Sequence, residues 1–209
     1  LKARVLHAAP RPPFSLLETL RLELRDGVPR WPLVDAHLAR MAASARYFGF
    51  ADPTASARAA LDAIVATHAV ASNAARNATG ETTDAWRVRL VAGADGAAAA
   101  TATPAPAAPT RPWTVALART PVDADDPFLH HKTTHRAVYE SRRAERPGVD
   151  EVLLVNAGGE LTEGTITNLV VARDGGAWTP PRASGLLGGV AREAAIAAGR
   201  AAERVLSPD

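Results

Sequence analysis

Residues 129–136 read LHHKTTHR, and the lysine among them poses the question on which the reading of the whole chain turns. The chain holds 24 basic residues, and every one except Lys2 and Lys132 is arginine. An arginine stays protonated under ordinary conditions, whereas a desolvated lysine amine can lose its proton and attack a carbonyl carbon. Most charged side chains simply solvate a surface, and an arginine-rich composition leaves few lysines of any kind. From the residues alone, Lys132 is therefore either a surface cation or a nucleophile.

Working outward from it, Ala137, Val138 and Ala144 mark the apolar side of a helix that ends before Pro147-Gly148. Val152–Val155 predicts a short buried strand, Asn156–Gly159 a turn, and Leu169–Ala172 another strand. In ELTEGTITN (residues 160–168) a glutamate and a glycine precede a strand, and alone the segment reads as a turn. SGLLGGV (residues 184–190) leads into a last helix from Ala191 to about Ala202, where glycines bring backbone amides near the helix start, a ready site for a phosphate.

Upstream, FSLLETLRLEL (residues 14–24) runs into Asp26-Gly27 and predicts a strand and hairpin. Asp35 is a plausible N-cap for a helix carrying Leu38, Met41, Ala42, Ala45 and Phe48 up to Gly49. Asp52-Pro53 opens a second helix to about Val70, and WRVRLV (residues 86–91) alternates as a half-buried strand does. The low-complexity run at residues 97–112 reads as a linker by composition. Residues 113–118 form a further strand, and PVDADDP (residues 121–127) is the expected junction. Strands and helices mixed in both halves argue for two α+β domains, at residues 1–122 and 123–209.

A chain of 209 residues, 47% hydrophobic, can bury a substantial core. Its net charge of +2, without a run of basic residues, gives little support for nucleic acid or an anionic membrane as partner. The absence of cysteine excludes disulfides, zinc thiolates and cysteine nucleophiles. No apolar stretch reaches the length of a membrane span and the start lacks a signal-peptide pattern, so a cytoplasmic protein is expected. The start at Leu1 instead of methionine is what a fragment or excised domain would show. His37 and Arg40 share one turn and read as a solvated helix face. His131 and His135 could share a face as metal ligands, but no nearby acid completes a site, and local hydrogen bonding around Lys132 is the expectation. No nucleophile-elbow pattern surrounds any serine.

A lysine that can bond an aldehyde, a carboxylate for a pyridine nitrogen, and an arginine with a helix N-terminus for a phosphate are the parts a pyridoxal phosphate enzyme requires. The segments FSLLETLRLE, HLARMAASARYFGF, HKTTHRAVYE, GELTEGTITNLVV and TPPRASGLLGGVARE, in this order, resemble the fold-type IV pyridoxal phosphate enzymes. That group holds branched-chain and D-amino-acid aminotransferases and aminodeoxychorismate lyase. HKTTHR, with the opening KARVL before FSLLETLRLE, looks most like the lyase-type domain fused behind aminodeoxychorismate synthase component I.

The resemblance implies a two-domain, D-amino-acid aminotransferase-like α+β fold, a homodimer, and conversion of 4-amino-4-deoxychorismate to 4-aminobenzoate and pyruvate in folate biosynthesis. An aminotransferase on the same scaffold and a non-catalytic remnant of a synthase fusion are the alternatives. Carried over, Lys132 would bond the cofactor and move the proton at the amine-bearing carbon, and Glu163 would hold the pyridine nitrogen protonated. Arg40 would grip the phosphate and Leu187 pack on the ring face. Gly189, Val190 and Ala191 would offer backbone amides, with a threonine hydroxyl of several relatives missing at Ala191. Thr167, Asn168 and Tyr139 would lie nearby. The family continues beyond the last helix, so a chain ending at Asp209 is expected to lack part of its second sheet and to leave a strand edge unpaired.

Overall fold

Strand β1 (Leu16–Arg25) turns Leu16, Leu20, Leu22 and Leu24 to one side and exposes Thr19 and Arg21 on the other, the period of two a sheet with one covered face requires. In this structure, a computed structural model, residues 13–25, 28–79 and 85–208 are described. The opening KARVL, the Asp26-Gly27 turn and Asp209 lie outside the described residues. β1 pairs antiparallel with β2 (Val28–Arg30), with Arg25 opposite Val28, as the expected hairpin does. On its other edge it pairs antiparallel with β3 (Ala85–Ala92), which in turn pairs with β4 (Ala98–Pro104). The order is β2-β1-β3-β4.

β4 occupies part of what composition marks as a linker. Ala98, Ala100 and Ala102 pack against the core while Thr101 and Thr103 stay exposed. The alternation is there, but residues this small barely register it as a hydrophobic pattern. Helices α1 (Val34–Phe48) and α2 (Thr54–Thr79) cover the core face, with Leu38, Met41, Ala45, Ala57 and Leu61 packed on Leu20, Leu22, Val88 and Leu90. Asp35 is not the N-cap of α1. Leu33 holds that position at φ 60, and Asp35 sits in the first turn, where a negative charge suits the helix N-terminus. Gly49, at φ 72, ends α1 as expected. α2 outlasts the expected stop at Val70 because its alanine-rich continuation still favours helix.

In the second half, β5 (Val115–Leu117) runs parallel to β6 (Glu151–Val155), which pairs antiparallel with β7 (Leu161–Gly164). LTEG is thus a strand, where the segment alone reads as a turn. Since β5 already pairs with β6, we propose that the boundary between the two units falls within residues 105–114 and not after residue 122. The short helix α3 (Pro127–His130), capped by the Asp126 side chain on Phe128 N, precedes Lys132, and α4 (Ala137–Ala144) follows it. β8 (Val171–Arg173) and β9 (Gly176–Thr179) form a hairpin, and a 3-10 turn at Arg182–Ser184 leads to α5 (Val190–Ala197). α5 is shorter than expected. β10 (Ala202–Glu203) then runs parallel to β9, and the tail after it joins two sheets. Arg204 N donates to Thr179 O at 3.0 Å and Leu161 N to Leu206 O at 2.7 Å, so the tail lies between β9 and β7.

Two features fix residues 131–136 against the first sheet. Leu17 N donates to Lys132 O at 3.0 Å and Thr134 N to Ser15 O at 2.9 Å, which adds a short strand-like segment beside the start of β1. Phe14 packs on Phe48, Phe50 and Phe128 with ring centroids 4.9, 5.4 and 5.1 Å apart, pinning α1 and α3 to the same corner. No helix among the described residues is long and apolar enough to cross a membrane.

Candidate active site

The edge of β1 is taken by β2 at residues 23–25 and by the Lys132 segment at residues 15–17. Between them opens a cavity of about 400 Å³. Lys132, Glu163, Arg40, Thr167, Asn168, Leu187, Gly189, Val190 and Ala191 all line it, so the structure gathers every site residue expected from the sequence at one place. Its walls come from β1, α1, the segment after α3, β7 and the start of α5. No single stretch of the chain shows this convergence.

Lys132 is not a surface cation. Burial, and then the positive charge of Arg40, lower its amine below the usual lysine range, which favours a free, nucleophilic amine. The backbone pairing with Leu17 holds the residue in register, so the side chain leaves a fixed point.

Glu163 lies on fully buried β7 and is 4% exposed. Its Oε1 accepts from the Tyr139 hydroxyl at 2.8 Å and from Leu187 N at 3.0 Å, while Oε2 accepts from Asn168 Nδ2 at 3.0 Å. Burial nevertheless dominates and pushes its carboxyl up to about 7. A cation arriving beside it would draw that value down, so the carboxyl is suited to holding a proton on a neighbouring ring nitrogen. Tyr139, whose place the resemblance left open, is a support for Glu163. Burial, followed by the charge of Glu163, raises its phenol well above the usual range, so it stays a donor.

Arg40 and His37 do not form a solvated face. Arg40 Nε donates to Glu18 Oε1 at 2.8 Å and Nη2 to Oε2 at 2.6 Å, and His37 Nδ1 lies 2.7 Å from Oε2. Glu18, 1% exposed on the core side of β1, is pushed up by burial but held below the usual range by the hydrogen bonds from His37 and Arg40, which outweigh it. Arg40 Nη1 reaches Gly188 O at 2.8 Å, tying α1 to the loop before α5. Each Nη keeps a second N–H for a ligand. Glu18 was legible only as a flaw in the pattern: a carboxylate at a position where the alternation of β1 places leucines.

At the start of α5, Gly189 is the N-cap and no side chain caps the helix. The leading amides at Val190 and Ala191 thus remain for an acceptor from outside the chain. Asn168 Nδ2 also donates to Leu187 O at 3.0 Å, and a Cβ on Gly189 would overlap the Asn168 carboxamide, so only glycine fits there. Leu187 contributes its backbone to Glu163 as well as a wall to the cavity. Thr167 differs from its neighbours because its hydroxyl is committed to Glu151 Oε2 at 2.8 Å. Glu151, buried, also takes Thr165 N at 3.0 Å and Ile166 N at 3.1 Å and thereby fixes the loop beyond β7. His131 Nδ1 lies 3.0 Å from Ser44 Oγ and its ring stacks on Tyr47, while His135 packs against Phe128. Burial, with His130 next, lowers His131 to about 4, so it is neutral near pH 7.

These residues fit pyridoxal phosphate: a half-buried amine of lowered pKa, a carboxyl with raised proton affinity, and uncapped helix amides beside an arginine. A family model described as amino-transferase class IV matches residues 15–209. A structure of a "putative amino-acid aminotransferase" from Mesorhizobium loti is 39% identical with a TM-score of 0.74, covering 94% of this chain and 88% of that one. A "hypothetical aminotransferase" from Mycobacterium tuberculosis, in a pyridoxal phosphate-bound form, is 27% identical with a TM-score of 0.71, covering 93% of this chain and 72% of that one. Among curated relatives, a "putative aminodeoxychorismate lyase" of Schizosaccharomyces pombe is 30% identical over 166 residues, 77% of this chain. A "putative branched-chain-amino-acid aminotransferase" of Methanocaldococcus jannaschii is 33% identical over 83 residues, 40% of this chain. The matches span 66% and 29% of those two curated relatives. The fold is that of the fold-type IV, pyridoxal phosphate-dependent enzymes.

Proposed function

We propose that this chain, which belongs to the amino-transferase class IV family, is a pyridoxal phosphate-dependent lyase that converts 4-amino-4-deoxychorismate to 4-aminobenzoate and pyruvate. The observation that carries the choice of reaction is the resemblance to the S. pombe protein, 30% identical over 77% of the chain. When bound, the cofactor supplies an electron sink for charge developing at the substrate carbon that bears the amine. The chain's own residues do the rest. Lys132 Nζ takes the proton from that carbon, a role that its lowered pKa favours. Glu163 holds a proton at the ring nitrogen, and Tyr139, Asn168 and Leu187 N keep its carboxyl in place. Arg40 and the amides at the start of α5 take the phosphate. In the reaction, the bond between the ring carbon and the oxygen of the enolpyruvyl group breaks as the ring becomes aromatic, and the enolpyruvate released takes up a proton to become pyruvate. A homodimer, and fusion to or association with aminodeoxychorismate synthase component I, belong to the same proposal.

The M. loti structure, at 39% identity, favours a second reading, an aminotransferase using the same lysine and glutamate. Pyruvate release from aminodeoxychorismate by the cofactor-loaded protein supports the lyase. Amination of a keto acid at the expense of an amino acid, without pyruvate release, supports the transferase.

A further inference from the structure

Of the exposed large hydrophobic side chains among the described residues, two line the cavity: Leu33, 44% exposed, and Ile166, 62% exposed. Leu33 is the N-cap of α1 at φ 60 and ψ 24, with no side-chain hydrogen bond to the helix. In that left-handed region a Cβ crowds the next carbonyl oxygen, and the N-cap position itself suits serine, aspartate, asparagine or glycine. The other non-glycine residue at positive φ among the described residues, Asp174, sits with Gly175 in the turn between β8 and β9, where a tight hairpin calls for that conformation. Neither burial nor helix capping accounts for a leucine at position 33. Ile166 comes from the other half of the chain, on the loop after β7. Its N donates to Glu151 Oε2 at 3.1 Å, and the hydroxyls of Thr165 and Thr167 on either side donate to the same carboxylate at 2.6 and 2.8 Å. Arg136 Nη2 also donates to Thr165 O at 2.6 Å. The backbone is thus fixed while the apolar side chain stands in the open.

We propose that Leu33 and Ile166 form the apolar surface that receives the ring of a cyclic substrate and selects such substrates over short-chain ones. The proposal rests on the reading of Lys132 as the reaction centre of a lyase with a cyclic substrate. The cofactor is assigned to other residues of the cavity, its phosphate to Arg40 and α5 and its ring nitrogen to Glu163, so these two side chains are left for the substrate. A six-membered ring brings a broad apolar face, and covering it against Leu33 and Ile166 removes apolar surface from water on ligand and protein together. A short aliphatic acid carries too little apolar surface to gain much from either. Backbone strain such as that at Leu33 persists where the strained residue serves a ligand.

Calorimetric titration of the cofactor-loaded protein with benzoate and with propanoate tests this, since the two carry the same charge and differ in the ring. Benzoate is expected to bind about tenfold more tightly, and Leu33→Gly and Ile166→Ser are each expected to cut that ratio by about threefold. The urea midpoint of cofactor-free Leu33→Gly is expected to stay level or rise, because glycine relieves the left-handed backbone. A ratio near one in the unaltered protein would overturn the proposal, as would a ratio that survives both substitutions. So would a lower midpoint for Leu33→Gly with the ratio intact, which would assign the leucine to the fold, or a change in subunit number with the ratio intact, which would assign the side chains to an interface between copies of the chain. Pyruvate release from aminodeoxychorismate is measured separately: ring selectivity without pyruvate release keeps the proposal and removes the lyase reading.

Discussion

Tyr139 donates its hydroxyl hydrogen to Glu163 Oε1 at 2.8 Å, joining α4 to β7 beneath the site. Burial raises the proton affinity of both groups, and this bond offsets part of the rise at Glu163. In Tyr139→Phe the carboxyl loses one of its three donors at a buried position. The cost is expected to be about 1 to 3 kcal/mol in urea unfolding of the cofactor-free protein, and an unchanged midpoint would show that the bond contributes nothing.

The raised carboxyl of Glu163 also sets a pH dependence. Unfolded, the group titrates at about 4.3; folded, at about 7. Between these values the folded protein holds a proton that the unfolded chain has released, so stability from this group is present below the window and declines as pH rises through it. Glu163→Gln removes the decline. Relative to the unaltered protein, the variant is expected to gain stability as pH goes from 5 to 8, read from denaturant midpoints without cofactor. Parallel curves for the two proteins would contradict the raised value.

Arg40→Ala is expected to do more than weaken phosphate binding. It leaves Glu18 buried with only His37 for a partner, and breaking a buried ion pair from one side costs about 3 to 5 kcal/mol. Arg40→Ala combined with Glu18→Gln is expected to recover much of that stability while cofactor affinity stays reduced about tenfold or more. A double variant no more stable than the single one would show that the pair is not what Arg40 serves.

Gly189→Ala places a methyl group on the Asn168 carboxamide, and Asn168 is bonded to both Glu163 and Leu187. Fluorescence titration is expected to show cofactor affinity down by about tenfold, because the α5 amides and Glu163 shift together. Unaltered affinity would separate the α5 start from cofactor binding.

Much of the candidate site could be read through the resemblance to the family, because Lys132, ELTEGTITN and SGLLGGV are short segments that its pattern singles out, whereas alone they left a lysine of open role, a turn and a helix start. What holds them was not readable in the same way. Glu18 sits 22 residues from Arg40 and shows in the sequence only as a carboxylate on the leucine face of β1, with nothing to say that it is the group that orients Arg40. Glu151 and Tyr139 act on residues that only the fold brings near. β4 was hidden because alanine and threonine alternate without a hydrophobicity contrast, and β7 because four residues that are buried on every side carry no period. α5 stops before the expected end because Gly199 turns the chain back, at φ 65, into the tail that joins β9 to β7.

The most direct measurement uses the scarcity of lysine in this chain. The protein is loaded with pyridoxal phosphate, treated with borohydride to fix the cofactor covalently, and digested for peptide mass analysis. Lys2 serves as an internal control for an ordinary amine, since these two are the chain's only lysines. One cofactor per chain on the peptide carrying Lys132, with Lys2 unlabelled, is the predicted result. Label on Lys2 alone, or none on either lysine, would contradict the assignment of Lys132 as the residue that bonds the cofactor.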